Sequence, residues 1–314
     1  MLTLKRCADL PCPGNCAKVT VMNGKVYCSL STLHGSSFTT QVFCYNLPQD
    51  QWSTLPPLPA GLVGFGFGQF NGRLVAAGGI QHDDTVTNEV FTFDEKSQMW
   101  KMTISPMPTA RFHCDVISVL QSLTLIVAGG TPPIEDFTDV VEVYKNDTKQ
   151  WYRTDPLPIP NRSLSSVVAE DNIYIFEGFA SPQQHLSGVV RASIADLLDN
   201  AVPVNTNYQS QRDLSAWKRL PDTPIFRPGG AVLADSLIAI GGFEASDSMV
   251  ARKEIYKYSS STNSWIHIGD LPAPRAWIRA AVLSPVEVLI IGGYHNDHNV
   301  STVYKGILHF PLNV

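Results

Sequence analysis

The sequence predicts an all-β repeat architecture, because three features recur together with a period near fifty residues. The first is an apolar run that ends in paired glycines. It appears as Leu74-Val75-Ala76-Ala77-Gly78-Gly79, Leu125-Ile126-Val127-Ala128-Gly129-Gly130, Leu237-Ile238-Ala239-Ile240-Gly241-Gly242 and Leu289-Ile290-Ile291-Gly292-Gly293. The second is a tryptophan after the glycines (Trp100, Trp151 and Trp265), with a short alternating aromatic run such as Val90-Phe91-Thr92-Phe93 in between. The third is a proline-rich link after the tryptophan, often closed by arginine: Met107-Pro108-Thr109-Ala110-Arg111 and Leu271-Pro272-Ala273-Pro274-Arg275. Period-2 alternation and strand-length apolar runs bounded by turn residues are the pattern of strands.

These residues resemble the kelch repeat, and the resemblance covers essentially the whole chain. It implies an all-β, six-bladed kelch β-propeller with four antiparallel strands per blade, over a single domain 1–314. The chain resembles the kelch domains of BTB–Kelch adaptors, without the BTB part. The expected blades are 18–52, 62–100, 112–151, 163–217, 228–265 and 276–310, the last completed by a strand from residues 2–10. The reason for that closure is local. Leu10-Pro11-Cys12-Pro13 matches the link at Leu271-Pro272-Ala273-Pro274, which puts Leu4 where a tryptophan is due. After Gly292-Gly293 one more strand, Val303 to Phe310, is left without a following partner. Pairing Leu2–Lys5 with it removes two open edges.

Each blade can be justified in order. Blade 1 is degenerate, with Cys28-Ser29 roughly at the glycine position, but Asn23-Gly24 is a strong hairpin signal and Trp52 keeps the register. Blade 2 has Asn71-Gly72 in the same place and a glycine-rich first strand, Gly64 to Gly68, suited to a crowded axis. Blade 3 is regular. Blade 4 replaces the paired glycines by Glu177-Gly178-Phe179 and carries an extension, 183–211, before Trp217. Within it Ala192 to Asn200 predicts one or two helical turns, and Asn205 to Asp213 a polar loop. Blade 5 is regular, with a polar turn at Ser259–Asn263. The glycines permit a turn with positive φ, and the tryptophans bury broad surfaces between sheets, so both are core.

Bulk properties exclude several classes. At 44% apolar and 16% charged residues the chain has material for a large core and is not a disordered one. A net charge of −5 gives no reason to expect nucleic acid or an anionic membrane, and no apolar run spans a bilayer. With no apolar leader among the first residues, a cytoplasmic, monomeric domain is expected. Of six cysteines, five (Cys7, Cys12, Cys16, Cys28 and Cys44) precede residue 45 in spacings unlike a zinc site, and buried strand thiols are expected. His82-Asp83-Asp84 and His295-Asn296-Asp297-His298 resemble metal ligands in composition only, and solvated turns are expected there. No cofactor or metal is expected.

In such a blade the proline link and the residues after the glycines open on one face. Arg111, Arg162, Arg227 and Arg275 close their links there, with Arg279 further in and Phe243, Trp277 and Tyr294 beside them. Kelch adaptors hold short acidic peptides with residues at these two kinds of position, and the resemblance implies the same for Arg111, Arg162, Arg227 and Arg275. Side chains at such a mouth should be replaceable without cost to folding. His113 and Asp115 alternate on the inner strand of blade 3, with Arg279 at the equivalent place in blade 6. A polar, wet channel accounts for them, and alternating residues do not meet as donor and acceptor. The expected function is a non-enzymatic interaction module for a protein or acidic peptide, binding through Arg111, Arg162, Arg227, Arg275, Arg279, Trp277, Tyr294, Phe243 and His113. The rivals are a small-molecule enzyme of the sialic-acid mutarotase kind and a structural spacer.

Overall fold

The computed structural model describes the chain apart from residues 1, 14, 35–36, 120–123, 134–136, 182–183, 205–215 and 310–314; at 15–17, 31–34, 37–39, 60 and 125 it describes the backbone alone. Strand pairing produces six antiparallel sheets around an axis, each with its first strand innermost. Blade 1 comprises Asn15–Met22, Lys25–His34, Ser37–Asn46 and Gln51–Thr54. Blade 2 comprises Gly66–Phe70, Arg73–Ala77, Val90–Asp94 and Met99–Met102. Blade 3 has Asp115–Val119, Thr124–Ala128, Val141–Lys145 and Gln150–Thr154, and blade 4 has Ser165–Ala169, Asn172–Phe176, Val189–Ser193 and Trp217–Leu220. Blade 5 is Gly229–Leu233, Ser236–Phe243, Ala251–Ser259 and Ser264–Asp270.

Blade 6 closes the ring with both ends of the chain. Its inner strands are Arg279–Ser284 and Glu287–Ile291, then Val303–Leu308, and the outermost is Leu2–Cys7. The register runs from Leu2 opposite Leu308 to Cys7 opposite Val303. Leu4 faces Gly306, the position at which Trp151 faces Tyr144 in blade 3. A smaller pair thus replaces the aromatic one where the two ends meet.

The five other tryptophans of that position share one further contact. Trp52, Trp100, Trp151, Trp217 and Trp265 donate their indole N–H to the carbonyls of Ala8, Pro56, Ser105, Asp155 and Pro221, at 2.9–3.1 Å. Each acceptor lies just after the outer strand of the preceding blade, so the indole both fills the space between sheets and pins one blade to the next. The glycines have an equally specific reason. Gly78 adopts φ 66°, and a Cβ there would meet the Arg111 carbonyl oxygen at 2.3 Å. Gly79, at φ 113°, donates its N–H to that same carbonyl. Only a residue without a side chain lets the next blade's link approach so closely.

Two irregular blades differ from expectation in detail. In blade 1 the second strand continues to His34 without a glycine turn, and the register aligns Leu30-Ser31, not Cys28-Ser29, with the paired glycines. The extra length pairs with Ser37–Asn46, which removes the need for the turn. In blade 4 a helix, Ile194–Asp199, begins at an N-cap Ser193 and buries Leu197. The chain then returns to pair Val202–Pro203 with Arg153 and Tyr152, a fifth strand on the rim of blade 3. Thr154 Oγ1 donates to the Leu197 carbonyl at 2.5 Å and Asn200 to Asp155 at 2.7 Å, so the extension straps blades 3 and 4 together. The loop expected at 205–213 lies outside the described residues. No helix among the described residues is long and apolar enough to cross a membrane.

Candidate functional site: a cationic and aromatic mouth

The register identifies which residues reach the mouth. In blades 2 to 6 the inner strand's first paired residue opposes the residue just before the glycine position: Gly66, Asp115, Ser165, Gly229 and Arg279; in blade 1, where pairing starts earlier at Asn15, the equivalent residue is Lys18, opposite Ser29. Two places earlier, five blades hold a residue with left-handed backbone: Gly64 (65°), His113 (56°), Ser163 (55°), Arg227 (49°) and Trp277 (52°). The conformation costs about 1–2 kcal/mol for a residue with a side chain. Here it serves a collar of hydrogen bonds between blades, in which the His113 N–H donates to the Gly64 carbonyl (2.5 Å) and the Ser163 N–H to the His113 carbonyl (2.9 Å). The same five residues line one cavity of about 170 Å³, together with Lys18, Phe65, Arg162, Phe179 and Arg279.

Aromatic rings hold the arginines of this wall in place. The Arg227 guanidinium carbon lies 3.8 Å from the Phe179 ring centroid and 5.6 Å from that of Trp277. Arg162 lies 4.8 Å from Phe137 and 5.7 Å from Phe179. Trp277 stacks on Tyr294 at 4.6 Å and meets Phe243 edge-on at 5.5 Å. A guanidinium stacked on a ring keeps its N–H donors in its own plane, where an anion can meet them.

Beneath the mouth lies a charged layer. Lys18 of blade 1 reaches past blade 2 to Asp115 of blade 3, Nζ to Oδ1 2.7 Å, and also donates to the Leu164 carbonyl at 3.4 Å. The other Asp115 oxygen accepts from the Ser166 N–H at 2.9 Å and from its hydroxyl. Burial lowers the Lys18 pKa, and the Asp115 charge opposes that shift. Burial, reinforced by the positive charge of Arg162, Lys18, Arg227 and Arg279, pushes His113 down to about 3, so its imidazole is neutral near pH 7. Below this layer the channel widens to about 580 Å³, with a lining that is mainly apolar, including Val19, Val21, Phe67, Val116 and Val168.

The expected site residues divide between two places. Arg162, Arg227, Arg279, His113 and Trp277 converge on the cavity. Tyr294 backs Trp277 from the rim and donates to Asp297 at 2.9 Å, while Phe243, fully buried, supports it from below. Arg111 and Arg275 stand elsewhere, because they sit two places before the left-handed position and point back into their own blades. Arg111 is 0% exposed, ion-paired with Glu142 at 2.9 Å, and donates to the carbonyls of Gly129 (3.0 Å) and Val140 (2.8 Å). Arg275, 3% exposed, donates to the carbonyls of Gly292 (3.3 Å) and Thr302 (3.2 Å) and stacks on Tyr304. Both clamp the glycine turn to the third strand, so the expectation that they can be replaced without cost to folding is corrected. Lys18, Phe179, Ser163 and Gly64 were not foreseen as site residues. Counting inward from the glycines, rather than to the end of the proline link, is the signal that finds them.

The loops of candidate metal composition form hairpins. Tyr294–His295 pairs with His298–Asn299, and among the described residues no cluster of three metal-ligating side chains occurs. Cys28, Cys44 and Cys114 are buried and Cys7 and Cys12 half-buried, with burial pushing the Cys28 thiol up to about 12.

No protein-family model matches the chain. Among curated proteins it is 30% identical over 262 residues to Kelch-like protein terF of Aspergillus terreus, covering 79% of this chain and 53% of that one. It is 26% identical over 163 residues to Kelch-like protein 40 of Xenopus tropicalis (52% and 26%) and 24% identical over 257 residues to Beta-scruin of Limulus polyphemus (79% and 26%). The chain thus spans from about a quarter to about half the length of these relatives. The solved structure of YjhT superposes with a TM-score of 0.73 at 16% identity, covering 95% of each chain, a likeness of fold. The repeats, the closed ring of six blades and these relatives together place the chain among the kelch-repeat β-propellers.

Proposed function

We propose that this propeller is a protein-interaction module whose partner presents an acidic segment to the mouth lined by Arg162, Arg227, Arg279 and Trp277. The observation that carries the reading is the convergence of Lys18 and three arginines on one aromatic-walled cavity, with Asp115 the acidic side chain in the layer below. A carboxylate-bearing segment accepts forked hydrogen bonds from guanidiniums, whose planar donors match its two oxygens. Trp277 and Tyr294 supply the apolar contact area that anchors an interface. The Kelch-like relatives support an interaction role.

The rival, a small-molecule enzyme, has one observation in its favour: the cavity places His113 above the Lys18–Asp115 pair. Against it, both Asp115 oxygens are already taken, and a histidine held near 3 is a weak base at neutral pH. The test is differential capture. Proteins retained by the wild type and by a control with alanines at Lys96 and Lys149, but lost by Arg227→Asn/Arg279→Ala, are the expected result. Asparagine at 227 tolerates the left-handed backbone. A partner held equally by all three proteins would refute the reading.

A further inference from the structure

The cavity holds a nucleophile that the interaction reading does not use. Two ion pairs among the described residues are buried on both sides, Arg111 with Glu142 and Lys18 with Asp115. Arginine suits such a pair, because its planar fork matches a carboxylate and its charge is permanent. The pair that borders the cavity uses lysine instead, the one of the two cations that can give up a proton and attack a carbonyl carbon. Lys18 is 6% exposed and lines both the cavity of about 170 Å³ and the neck beneath it. Its Nζ donates to Asp115 Oδ1 at 2.7 Å and to the Leu164 carbonyl at 3.4 Å, which takes two of its three donor positions. Burial weakens its hold on the proton; Asp115 opposes that, and the charge of Arg279 adds to it. A desolvated lysine beside another cation is the environment in which this side chain becomes a nucleophile.

We infer that Lys18 is a site of reversible imine formation with a small aldehyde or ketone held in the cavity. This goes beyond the interaction reading and does not depend on it. Asp115 Oδ1 is placed to take the ammonium proton. The freed amine adds its electron pair to the carbonyl carbon, and its own proton passes to the carbonyl oxygen, which gives a carbinolamine. Asp115 then returns the first proton to that hydroxyl, which leaves as water while the nitrogen pair closes the C=N bond. One ammonium and one carbonyl are consumed, and one iminium and one water are formed. The positive charge stays on the nitrogen beside Asp115, so the pair that joins blade 1 to blade 3 is kept. Exclusion of bulk water from the site disfavours hydrolysis back to the carbonyl. The cavity has room for about five or six water-sized groups at about 30 Å³ each, which sets the size of the ligand. Phe65, Phe179 and Trp277 offer contact to its carbon skeleton.

The experiment is reductive trapping on the full chain at neutral pH. Propanal is the probe, and cyanoborohydride reduces the imine to a stable N-propyl-lysine that peptide mass spectrometry locates and times. The exposed Lys96 and Lys149 are internal references on the same molecule. Lys18 should be labelled several-fold faster than either, because its amine is the one activated by desolvation. An aldehyde carried on a polyethylene glycol chain, too large for the cavity, should label the references and spare Lys18. Lys18→Arg keeps a cation opposite Asp115 but has no nucleophile; it should lose the fast label, leave the reference rates as they were and keep the circular dichroism spectrum of the wild type. Labelling of Lys18 no faster than that of Lys96 and Lys149 would overturn the inference, and so would equal labelling of Lys18 by the polymer aldehyde. Partner capture is scored separately by the proteins retained, so the interaction reading and this one can each fail alone.

Discussion

Arg111 is a side chain whose loss the structure makes costly. Its partner Glu142 is 0% exposed and also accepts from Thr109 Oγ1 at 2.6 Å, with Arg153 3.6 Å away on the rim. Replacing Arg111 by alanine takes from the buried Glu142 carboxylate its nearest cation, leaving it Thr109 and the rim Arg153, and removes the donor shared by the Gly129 and Val140 carbonyls. Breaking such a pair from one side costs about 3–5 kcal/mol. In a chain of this size that corresponds to a fall in Tm of roughly 6–10 °C, at about 2 °C per kcal/mol. Arg275→Ala leaves two carbonyls without their donor but no buried carboxylate, so a smaller cost, about 1–3 kcal/mol, is expected. The decisive comparison is a double-mutant cycle read by urea denaturation. Arg111→Met/Glu142→Gln should be less destabilised than the sum of the single variants, because the second change removes the buried charge that has lost its nearest cation. Additive losses, or an Arg111→Ala cost below about 1 kcal/mol, would refute the clamp.

Other consequences follow from the same geometry. Deleting residues 1–10 removes the outer strand of blade 6 and exposes the edge of Val303–Leu308; the truncated chain should aggregate or melt well below the intact one, and an unchanged Tm would contradict the latch. Folded-state values of about 3 for His113 and about 4 for His185 lie below the unfolded value near 6.5, so the unfolded chain binds protons that the fold refuses. Their contribution to stability is complete above about pH 6.5 and is lost as pH falls toward 4 and then 3, by up to about 1.4 kcal/mol per pH unit for each histidine. Urea midpoints between pH 7.5 and 5 should therefore drop less steeply in His113→Asn, and parallel slopes would contradict this account. Partner binding should weaken as salt rises, through screening of the exposed charge; affinity independent of salt would argue for an apolar site elsewhere on the ring.

Much of the fold was legible because its signals are local and repeated. Paired glycines, in-register tryptophans and an Asn-Gly hairpin each have one steric or packing cause, and Leu4 could be placed by spacing alone. The site was only partly legible. The chain shows that an arginine closes each of four links, but links differ in length by a residue or two, and one residue of offset decides a side chain's direction. Arg111 and Arg275 therefore fall inside their blades, while Arg162 and Arg227, one and two places on, reach the mouth. Lys18 was hidden for another reason. Its partner lies 97 residues away, and only closure of the ring brings the two inner strands into reach. The strap formed by Val202–Pro203 was likewise invisible, since a two-residue strand carries no periodic signal.

The central claim is that the partner docks on the link-and-glycine face, over the cavity of Arg162, Arg227, Arg279 and Trp277. Hydrogen exchange on the protein alone and with a captured partner tests it directly. The account predicts new protection at residues 162–164, 226–229 and 276–279, with the outer strands of the blades and the hairpins Asn23-Gly24 and Asn71-Gly72 unchanged. Protection confined to those hairpins or outer strands, with the mouth exchanging as before, would contradict it.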